Sequence, residues 1–302
     1  MTLVSVVIPS WNTRELLRNC LESLKGSLPG SSEVLVIDNG SRDGSARMVH
    51  EQFPWVRLVK HPKNTGFAHA CNVGCEMARG AYVLFLHTDT VLVGDTVRRL
   101  TQFLEDNPRY GAVAPRLFDT DGSTQRSHQR FPTLLTPLFL GTPLERWFPG
   151  NFEVRRYFAR EFDYEIDGDV RQPASACFLM RRKALKTLRP LDESMWLFFS
   201  DVDLCKRLWS RGWRIRYLAS SHVVHAGGMS TRQYGEFVPE WHKNRLAYYR
   251  KHYGRVAGWW VKTCVAWTLA DHCVREFWRR AHGAVEEPLL PLWEDFALFL
   301  RR

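Results

Sequence analysis

Tyr82-Val-Leu-Phe-Leu-His-Thr-Asp89-Thr90 is the stretch that decides the fold, because an apolar run ends there in a polar cluster with one carboxylate. Five consecutive apolar residues indicate a strand buried on both faces of a parallel sheet. Open α/β sheets bind ligands at the carboxyl ends of their strands. Asp89 is therefore placed to hold a divalent cation against a phosphate. The alternative is an aspartate that only ends the strand and opens a turn.

The chain around this strand has the size and composition of a globular protein. Its 302 residues, of which 45% are hydrophobic and 25% charged, can form one large core with a smaller appendage. Met1 leads straight into a strand-like segment, so the sequence predicts no signal peptide. The seven cysteines have no disulfide-like or CxxC spacing, which favours a reducing cytosol. We therefore expect a cytoplasmic protein, with peripheral attachment to the inner face of the plasma membrane as a further option.

The net charge of +10 favours anionic partners. No zinc-finger spacing or RRM-like aromatic signature is present, so we expect no nucleic-acid partner. Nine of the twelve tryptophans lie from Trp196 onward, near late clusters of arginine. This combination predicts a C-terminal part that faces an anionic membrane surface.

Short apolar runs alternate with amphipathic segments through the first part of the chain. Such repeated βα units predict an α/β fold, in which helices flank a mostly parallel, Rossmann-like sheet. The predicted strands are residues 4–8, 34–38, 56–59, 82–86 and 111–114, and the predicted helices are residues 14–25, 45–53, 68–78 and 96–105.

The pattern changes after residue 115. Residues 116–172 contain turn signals and a stretch rich in Pro, Leu and Thr, and we interpret them as an insertion that reaches over the edge of the sheet. A strand at 176–180, a helix at 201–211 and a strand at 214–218 then resume the pattern. We predict one domain at 1–232, whose halves 1–115 and 173–232 flank the insertion. A helical extension follows at 233–302, interrupted by Gly254, Gly283 and residues 288–291.

Two further loops carry polar residues at the ends of predicted strands. Asp38 closes the second strand and opens a loop rich in Gly, Ser and Asn, which suits recognition of a ribose or a base edge. An ordinary turn, with Asp43 and Ser45 as helix caps, is the alternative. After the third strand, Gly66 permits close approach of the backbone, and Asn72 lies on the next helix within reach of the same edge.

The order of these motifs resembles that of the family 2 glycosyltransferases, which have the GT-A fold, over about the first 250 residues. A segment after the fifth strand, Pro115-Arg-Leu-Phe-Asp-Thr-Asp-Gly-Ser123 followed by Phe131-Pro132, is similar to the rhamnosyltransferase-type branch. The other segments that carry the resemblance are Ser5-Val-Val-Ile-Pro-Ser-Trp-Asn12, Val36-Ile-Asp-Asn-Gly-Ser-Arg-Asp-Gly-Ser45, Asn64-Thr-Gly-Phe-Ala-His-Ala-Cys-Asn-Val-Gly74, residues 86–90, residues 192–212 and His225.

The resemblance implies that residues 1–115 form a nucleotide-binding half and residues 173–232 an acceptor and catalytic half. Pro9, Asn12 and Asp38 would line the nucleotide site, with Asp38 on the base or its ribose. The other residues implied in this nucleotide-sugar site are Asn39, Ser41, Asn64, Gly66, Asn72 and His87.

The resemblance also implies a divalent metal, Mn²⁺ or Mg²⁺. Asp89 matches the last acid of the family's Asp-x-Asp element, the ligand beneath the diphosphate. His87 stands in place of the first Asp, and we assign it to the sugar or ribose. His225 is similar to the late histidine that completes the metal shell in many members. A strand-end histidine bonded to the backbone is the alternative.

The segment 198–207 resembles the family's Glu-Asp-x-Asp element, and its Asp201 would be the catalytic base. Ser200 replaces the preceding Glu. Asp203 is the second candidate, and it is grouped with Arg207 as an acceptor-side or secondary residue. Residues two apart on a helix point to different sides, so only one of the two acids should face the sugar. A routine helix N-cap is the alternative role for Asp201.

These roles predict an inverting glycosyltransferase that moves a sugar from a nucleoside-diphosphate sugar, dTDP-rhamnose or a UDP-sugar. The acceptor would be a glycan or polyprenyl-linked glycan in synthesis of a cell-surface polysaccharide. A nucleotidyltransferase is a second hypothesis, but it should carry a Gly-rich basic loop where Pro9-Ser-Trp-Asn12 stands. A non-catalytic protein that binds nucleotide sugars or membranes is a third.

The C-terminal third interleaves aromatic and basic residues between positions 259 and 280. Lys262 and Asp271 interrupt the apolar residues before they reach the ~20 needed to span a bilayer. We predict an amphipathic helix at a membrane interface, a helix packed on the catalytic domain, or a dimer interface. Residues 289–300 are a second amphipathic candidate.

Overall fold

The computed structural model describes residues 3–188, 190–227 and 237–282. The first half of the chain forms the predicted alternation of strands and helices. Its elements are β1 (Val4–Ser10), α1 (Arg14–Leu24), β2 (Glu33–Asp38), α2 (Ser45–Gln52), β3 (Arg57–Lys60), α3 (Phe67–Met77), β4 (Tyr82–Leu86), β5 (Thr90–Leu92) and α4 (Thr96–Asp106).

The second half adds four strands to the main sheet, together with short elements around it and the long helix α10. These are β6 (Tyr110–Phe118), β7 (His128–Gln129), α5 (Thr136–Phe139), α6 (Pro143–Trp147), α7 (Phe152–Tyr157), β8 (Gly168–Asp169), β9 (Gln172–Pro173), β10 (Cys177–Arg181), α8 (Arg182–Leu188), α9 (Ser200–Ser210), β11 (Arg214–His225) and α10 (Phe237–Ala281).

The main sheet has the order β3-β2-β1-β4-β10-β6-β11-β5, with β8 pairing on β11. Strands β3, β2, β1 and β4 are parallel to one another, and β6 is parallel to β11. Strand β10 runs antiparallel to both β4 and β6, and β5 runs antiparallel to β11. The α/β prediction is confirmed, although the antiparallel β10 in the middle makes the sheet mixed.

Side chains alternate between the two faces of the sheet and fill a core on each. In β4, Leu84 and Leu86 belong to one core, whereas Val83 and Phe85 belong to the other. All five residues of β4 are buried. The apolar run that decides the fold is therefore buried from both sides, as its composition predicts.

The segment after β6 packs against α10. The hydroxyl of Tyr249 donates to the carbonyl of Thr133 at 2.7 Å, and the indole of Trp260 donates to the carbonyl of Leu134 at 2.8 Å. Strand β6 itself extends to Phe118, into the range that the sequence analysis gave to an insertion. The domain boundaries stay a prediction.

Helix α10 is broken at Gly254, where φ is 85° and ψ is 177°. This is the interruption that the sequence predicts. A third core, which includes Phe199, Tyr248 and Val261, lies between α10 and the segment around the start of α9. Gly283 and the predicted segments 288–291 and 289–300 lie outside the described residues. In the described part of the chain, no helix has the length and apolar character to cross a bilayer.

Candidate active site

The carboxyl ends of β1, β2 and β4 meet at one edge of the sheet, where Ser10 and Asp38 are register partners. A cavity of about 370 Å³ opens at this edge. Six of the residues predicted from the sequence line it: Pro9, Asn39, His87, Asp89, Asp201 and His225. The fold thus brings together residues that lie more than 200 positions apart.

A His-Asp-His cluster lies on one wall of this cavity. Ligand atoms of His87, Asp89 and His225 lie within 4.8 Å of one another. Asp89 Oδ1 lies 3.4 Å from His225 Nε2 and 4.0 Å from His87 Nδ1. This oxygen is buried and has no hydrogen-bond partner among the described residues. A buried, unpartnered carboxylate oxygen beside two imidazole nitrogens is a set of ligands that could hold a cation.

Hydrogen bonds determine where the proton sits on each imidazole. Gln125 donates its amide to the His225 carbonyl at 2.7 Å, so its Oε1, 2.9 Å from His225 Nδ1, accepts the proton of that nitrogen. The hydroxyl of Ser175 donates to Asp201, so it accepts from His87 Nε2 at 3.3 Å. In the neutral rings, both remaining nitrogens then direct lone pairs at Asp89. Lone pairs and a carboxylate repel one another, and a cation between them removes the repulsion.

The protonation states agree with this arrangement. Burial lowers the pKa of His87 to about 4, so its ring is neutral near pH 7. Burial alone would raise the pKa of Asp89, but contact with His225 and the positive charges of the two rings in their protonated form lower it to about 2. Asp89 is therefore ionised over the whole physiological range, as a metal ligand must be.

Asp201 lies in the first turn of α9 and faces the same cavity. The helix begins after Phe199, whose φ of 63° is unusual for a residue other than glycine. One carboxylate oxygen of Asp201 accepts from the Val202 amide at 2.8 Å, and the other accepts from the Ser175 hydroxyl at 3.2 Å. Burial raises the pKa of Asp201. Ser175 therefore bridges the candidate base and the His-Asp-His cluster.

Asp203 and Arg207 lie away from the cavity, between α9 and α10. Asp203 is fully buried and accepts from Arg207 Nε at 2.7 Å and from His252 Nε2 at 2.8 Å, while Lys251 Nζ lies 2.8 Å away. Arg207 also donates to the Leu188 carbonyl. These contacts describe a structural link between two helices, and the acceptor-side or secondary role of the pair stays a prediction. Asp201 and Asp203 do face different sides of α9.

The loops after β1 and β2 are tied to each other beside the cavity. The side-chain oxygen of Asn12, a residue with a φ of 50°, accepts from the backbone amide of Arg42 at 2.8 Å. The backbone amide of Asn12 donates to the Ser41 hydroxyl at 2.9 Å. Asp38 Oδ2 accepts from the Ser41 amide at 3.2 Å. Asp38 Oδ1 is buried without a hydrogen-bond partner in the described residues. Asp38 does not itself line the cavity, but its neighbour Asn39 does.

The third predicted loop is held by Asn39. Its amide donates to Asn64 Oδ1 at 2.9 Å and to the Gly66 carbonyl at 3.1 Å. A Cβ on Gly66 would lie 2.4 Å from the ring of Trp196, so the close approach predicted there is to a side chain of the protein itself. Asn72 is remote from this cavity. Its amide bonds to the Leu191 backbone and to a neighbouring carboxylate, and it lines a different surface depression.

The comparison of the chain with family models now identifies its class. A model of glycosyl transferase family 2 matches residues 5–189. The chain belongs to glycosyltransferase family 2. As a family 2 glycosyltransferase it is an enzyme, and this membership sets aside both the nucleotidyltransferase hypothesis and that of a non-catalytic binding protein.

Curated relatives of this family 2 glycosyltransferase include a rhamnosyltransferase and an O-antigen biosynthesis protein. The N-acetylglucosaminyl-diphospho-decaprenol L-rhamnosyltransferase of Mycobacterium tuberculosis is 28% identical over 280 residues, which are 88% of this chain and 89% of the relative. The O-antigen biosynthesis protein RfbC of Myxococcus xanthus is 28% identical over 243 residues, 78% of this chain but only 18% of that protein.

Solved structures of other glycosyltransferases share the GT-A fold of this enzyme. TarS of S. aureus superposes with a TM-score of 0.56 at 16% identity, covering 90% of this chain and 43% of TarS. GalNAc-T7, solved with UDP, GalNAc and Mn²⁺, gives a TM-score of 0.55 at 16% identity over 74% of this chain and 44% of that one. This chain thus spans less than half of either solved chain.

Three residues of the site were missed by sequence reasoning. Ser175 and Gln125 orient the two histidines, and Asn244 on α10 accepts from the backbone amides of Leu197 and Phe198 at 2.9 Å each. Ser175 directly precedes the strand predicted at 176–180, so a polar residue at a strand end was an available signal. Gln125 and Asn244 carried no such signal, since their partners are 100 and 46 or 47 positions away.

The contacts of Asp203 with Arg207, Lys251 and His252 should contribute strongly to the stability of the folded protein. We expect Asp203→Asn to lower the free energy of unfolding by about 3–5 kcal/mol, because it leaves the cationic groups of Arg207 and Lys251 without this buried carboxylate. The folded-state pKa of Asp203 is about 2, below the ordinary 3.8, so this stabilisation is complete above pH 4 and is lost as the pH falls towards 2. Urea unfolding of both proteins across this pH range measures it. Asp106→Asn, at an exposed site on α4, is the matched control, and an equally small effect of both substitutions would refute the assignment.

Proposed function

We propose that this enzyme transfers a sugar with inversion from a nucleoside-diphosphate sugar to a lipid-linked glycan. One observation carries the proposal: Asp201 and the His87–Asp89–His225 cluster line the same cavity and are bridged by Ser175. Inverting transfer needs a base on one side of the anomeric carbon and charge compensation for a departing diphosphate on the other. We propose that residues 1–232 form this catalytic unit and that residues 233–302 are an extension.

Asp201 would act as the base. Its carboxylate accepts the proton of the acceptor hydroxyl as that oxygen attacks the anomeric carbon, through a transition state with oxocarbenium character. Its hydrogen bonds from Ser175 and the Val202 amide fix the orientation of the carboxylate. The raised pKa makes Asp201 a stronger base than an ordinary aspartate.

Asp89, His225 and His87 would hold a divalent cation. The cation would offset the negative charge that develops on the diphosphate. This assigns His87 to the cation rather than to the sugar, in line with the lone pair that its Nδ1 directs at Asp89. Two imidazoles beside one carboxylate favour Mn²⁺ over Mg²⁺, which prefers oxygen ligands throughout.

The donor nucleotide would lie along the loops that Asn12, Ser41 and Asn39 tie together, with the unpartnered Oδ1 of Asp38 accepting from the base or ribose. We propose dTDP-rhamnose as the donor and a GlcNAc-bearing polyprenyl diphosphate as the acceptor. The support is the mycobacterial rhamnosyltransferase, whose similarity extends over 88% of this chain. The similarity of residues 115–123 to the rhamnosyltransferase-type branch points the same way.

A lipid-linked acceptor requires that the enzyme meets a membrane, and α10 carries a suitable surface. Exposed apolar residues follow one another along its second half: Val256, Trp259, Val274, Phe277 and Trp278. At about 100° per residue they fall in a stripe about 100° wide. The buried residues Val261 and Val265 fall on the opposite side.

Basic residues border this apolar stripe. By the same helical geometry, Arg255, Lys262 and Arg280 lie together along one of its edges. An apolar stripe with aromatic rings and a basic border suits the interface of an anionic bilayer. We propose that α10 attaches the enzyme peripherally to the inner face of the plasma membrane.

Replacement of the base should abolish transfer. We expect Asp201→Asn to lower kcat by about 100- to 10,000-fold, because an amide cannot accept the proton. The wild-type rate should fall at acid pH as Asp201 is protonated, with a midpoint above that of an ordinary aspartate since its pKa is raised. Transfer assays with nucleotide-sugar donors over a range of pH measure both effects. Turnover of Asp201→Asn close to that of the wild type would exclude Asp201 as the base.

The cation should bind without the base but not without Asp89. At a concentration about 100-fold above its Kd, Mn²⁺ should stabilise the EDTA-treated enzyme by about 2.7 kcal/mol. Thermal unfolding should show this shift for the wild type and for Asp201→Asn, which leaves the cluster intact. Asp89→Asn should show none. An equal shift in Asp89→Asn would place the cation elsewhere.

The membrane surface should depend on α10. We expect Trp259→Asp to weaken binding to anionic phosphatidylglycerol vesicles by at least about tenfold, because it puts a charge in the apolar stripe. Co-sedimentation with vesicles measures the partition. Trp55→Asp is the matched control, since Trp55 is an exposed tryptophan outside α10. Equal binding by both variants and the wild type would remove the proposed role of this surface.

A further inference from the structure

A second cavity, of about 340 Å³, lies between α10 and the segment that contains α5 and α6. Its walls are largely apolar and include Pro137, Leu140, Phe158 and Val265. This volume is at the lower end of the range for small-molecule sites, about 300–1,000 Å³. The resemblance to family 2 glycosyltransferases and the roles proposed above leave the cavity unassigned.

Arg245 on α10 lines this apolar cavity. It is 4% exposed, and its Nη2 is buried with no hydrogen-bond partner in the ranges that the structure describes. The guanidinium lies over the ring of Trp241, at 5.1 Å from the centroid. A ring face balances only part of the loss of water around a buried cation. An anion would provide the hydrogen-bond partner that this nitrogen lacks and would balance the buried charge.

The other polar groups on the cavity wall do not neutralise Arg245. Glu145 is half-buried, and its carboxylate accepts from the Gly141 amide at 2.7 Å. Burial and the charge of Arg245 lower the pKa of His242 to about 3, so that its ring is neutral. The hydroxyl of Thr268 donates to the Gly141 carbonyl at 3.0 Å. A ligand would therefore meet the Arg245 guanidinium on a largely apolar wall, with the Glu145 carboxylate bonded to the Gly141 amide as the acidic group on the same wall.

We propose that this cavity binds a phosphate-bearing prenyl amphiphile, with the phosphate on Arg245 and the first part of the hydrocarbon chain on the apolar wall. This inference rests on the proposed function, because the ligand would be the lipid part of the acceptor. A free phosphate would pair with Arg245 but leave the apolar walls without a contact. A prenyl alcohol would contact the apolar walls but leave the charge of Arg245 unpaired.

The position of the cavity suits an acceptor site. Trp241 lines both this cavity and the one that holds Asp201, and the adjacent residues Tyr157 and Phe158 line one cavity each. A ligand on Arg245 would thus be separated from the catalytic cavity by a single layer of side chains. The exposed stripe of α10 lies on the side of this helix opposite Val265, so one helix carries both the proposed membrane surface and a wall of the cavity.

Binding of geranyl phosphate to the full chain, without donor or metal, tests the proposal by isothermal titration calorimetry. We expect the wild type to bind geranyl phosphate at least about tenfold more tightly than either inorganic phosphate or geraniol. Arg245→Met should weaken binding by about 10- to 100-fold, since it removes the charged donors. Leu140→Trp, which fills the cavity and keeps the charge, should weaken it as well. Arg250→Met, at an exposed position on the same helix, should bind like the wild type.

Several outcomes would overturn the proposal. If Arg245→Met bound geranyl phosphate as tightly as the wild type, the site would lie elsewhere. Equal affinity for inorganic phosphate would indicate a simple anion site, and equal affinity for geraniol a simple apolar one. A lower Tm of ligand-free Arg245→Met would show that Arg245 has a structural partner. Donor hydrolysis by the wild-type enzyme with Mn²⁺ and no lipid tests the proposed function separately, so failure of one is distinguishable from failure of the other.

Discussion

The buried carboxylate of Asp203 is the constraint on which the geometry of the site depends. It joins Arg207 on its own helix to Lys251 and His252 on α10, so the start of α9 cannot move independently of α10. Asn244 adds to this link, because its side-chain oxygen accepts from the two backbone amides just before α9. The direction of Asp201 is therefore set by a helix that lies outside the sheet.

This coupling gives the C-terminal helix two roles in one element. Its first half holds the segment before Asp201, and Trp241 contributes a wall of the cavity that Asp201 lines. Its second half packs the segment after β6 and exposes the apolar stripe. A glycosyltransferase built only from the sheet and its flanking helices would lack the cavity wall that Trp241 forms. It would also lack the contacts through which α10 holds the start of α9.

The residues with a local signal were predictable from the sequence. The apolar run of β4 fixes Asp89 at the sheet edge, and the acids after Phe199 fix Asp201 at the start of a helix. Residues whose role depends on partners far away in the sequence were not predictable, as Gln125 and Asn244 show. His87 was assigned to the sugar, and its place beside Asp89 depends on a proton position that Ser175 sets from 88 positions away. Asn72 was assigned to the nucleotide-sugar site from its place on the helix after the third strand and from the family resemblance, but its side chain bonds to the Leu191 carbonyl.

Phe199 adopts an unfavourable backbone conformation directly before the helix that carries Asp201. A left-handed conformation costs a residue with a side chain about 1–2 kcal/mol. The ring repays part of this by packing at 5.5 Å from Trp241 and 5.6 Å from Tyr248, between centroids. A glycine would relax the main chain and lose the ring, whereas an ordinary helical φ would extend α9 backwards and withdraw the amides that Asn244 binds. The backbone preference of Phe199 and the packing of its ring thus favour different conformations two residues before Asp201, and the packing determines the one that is observed.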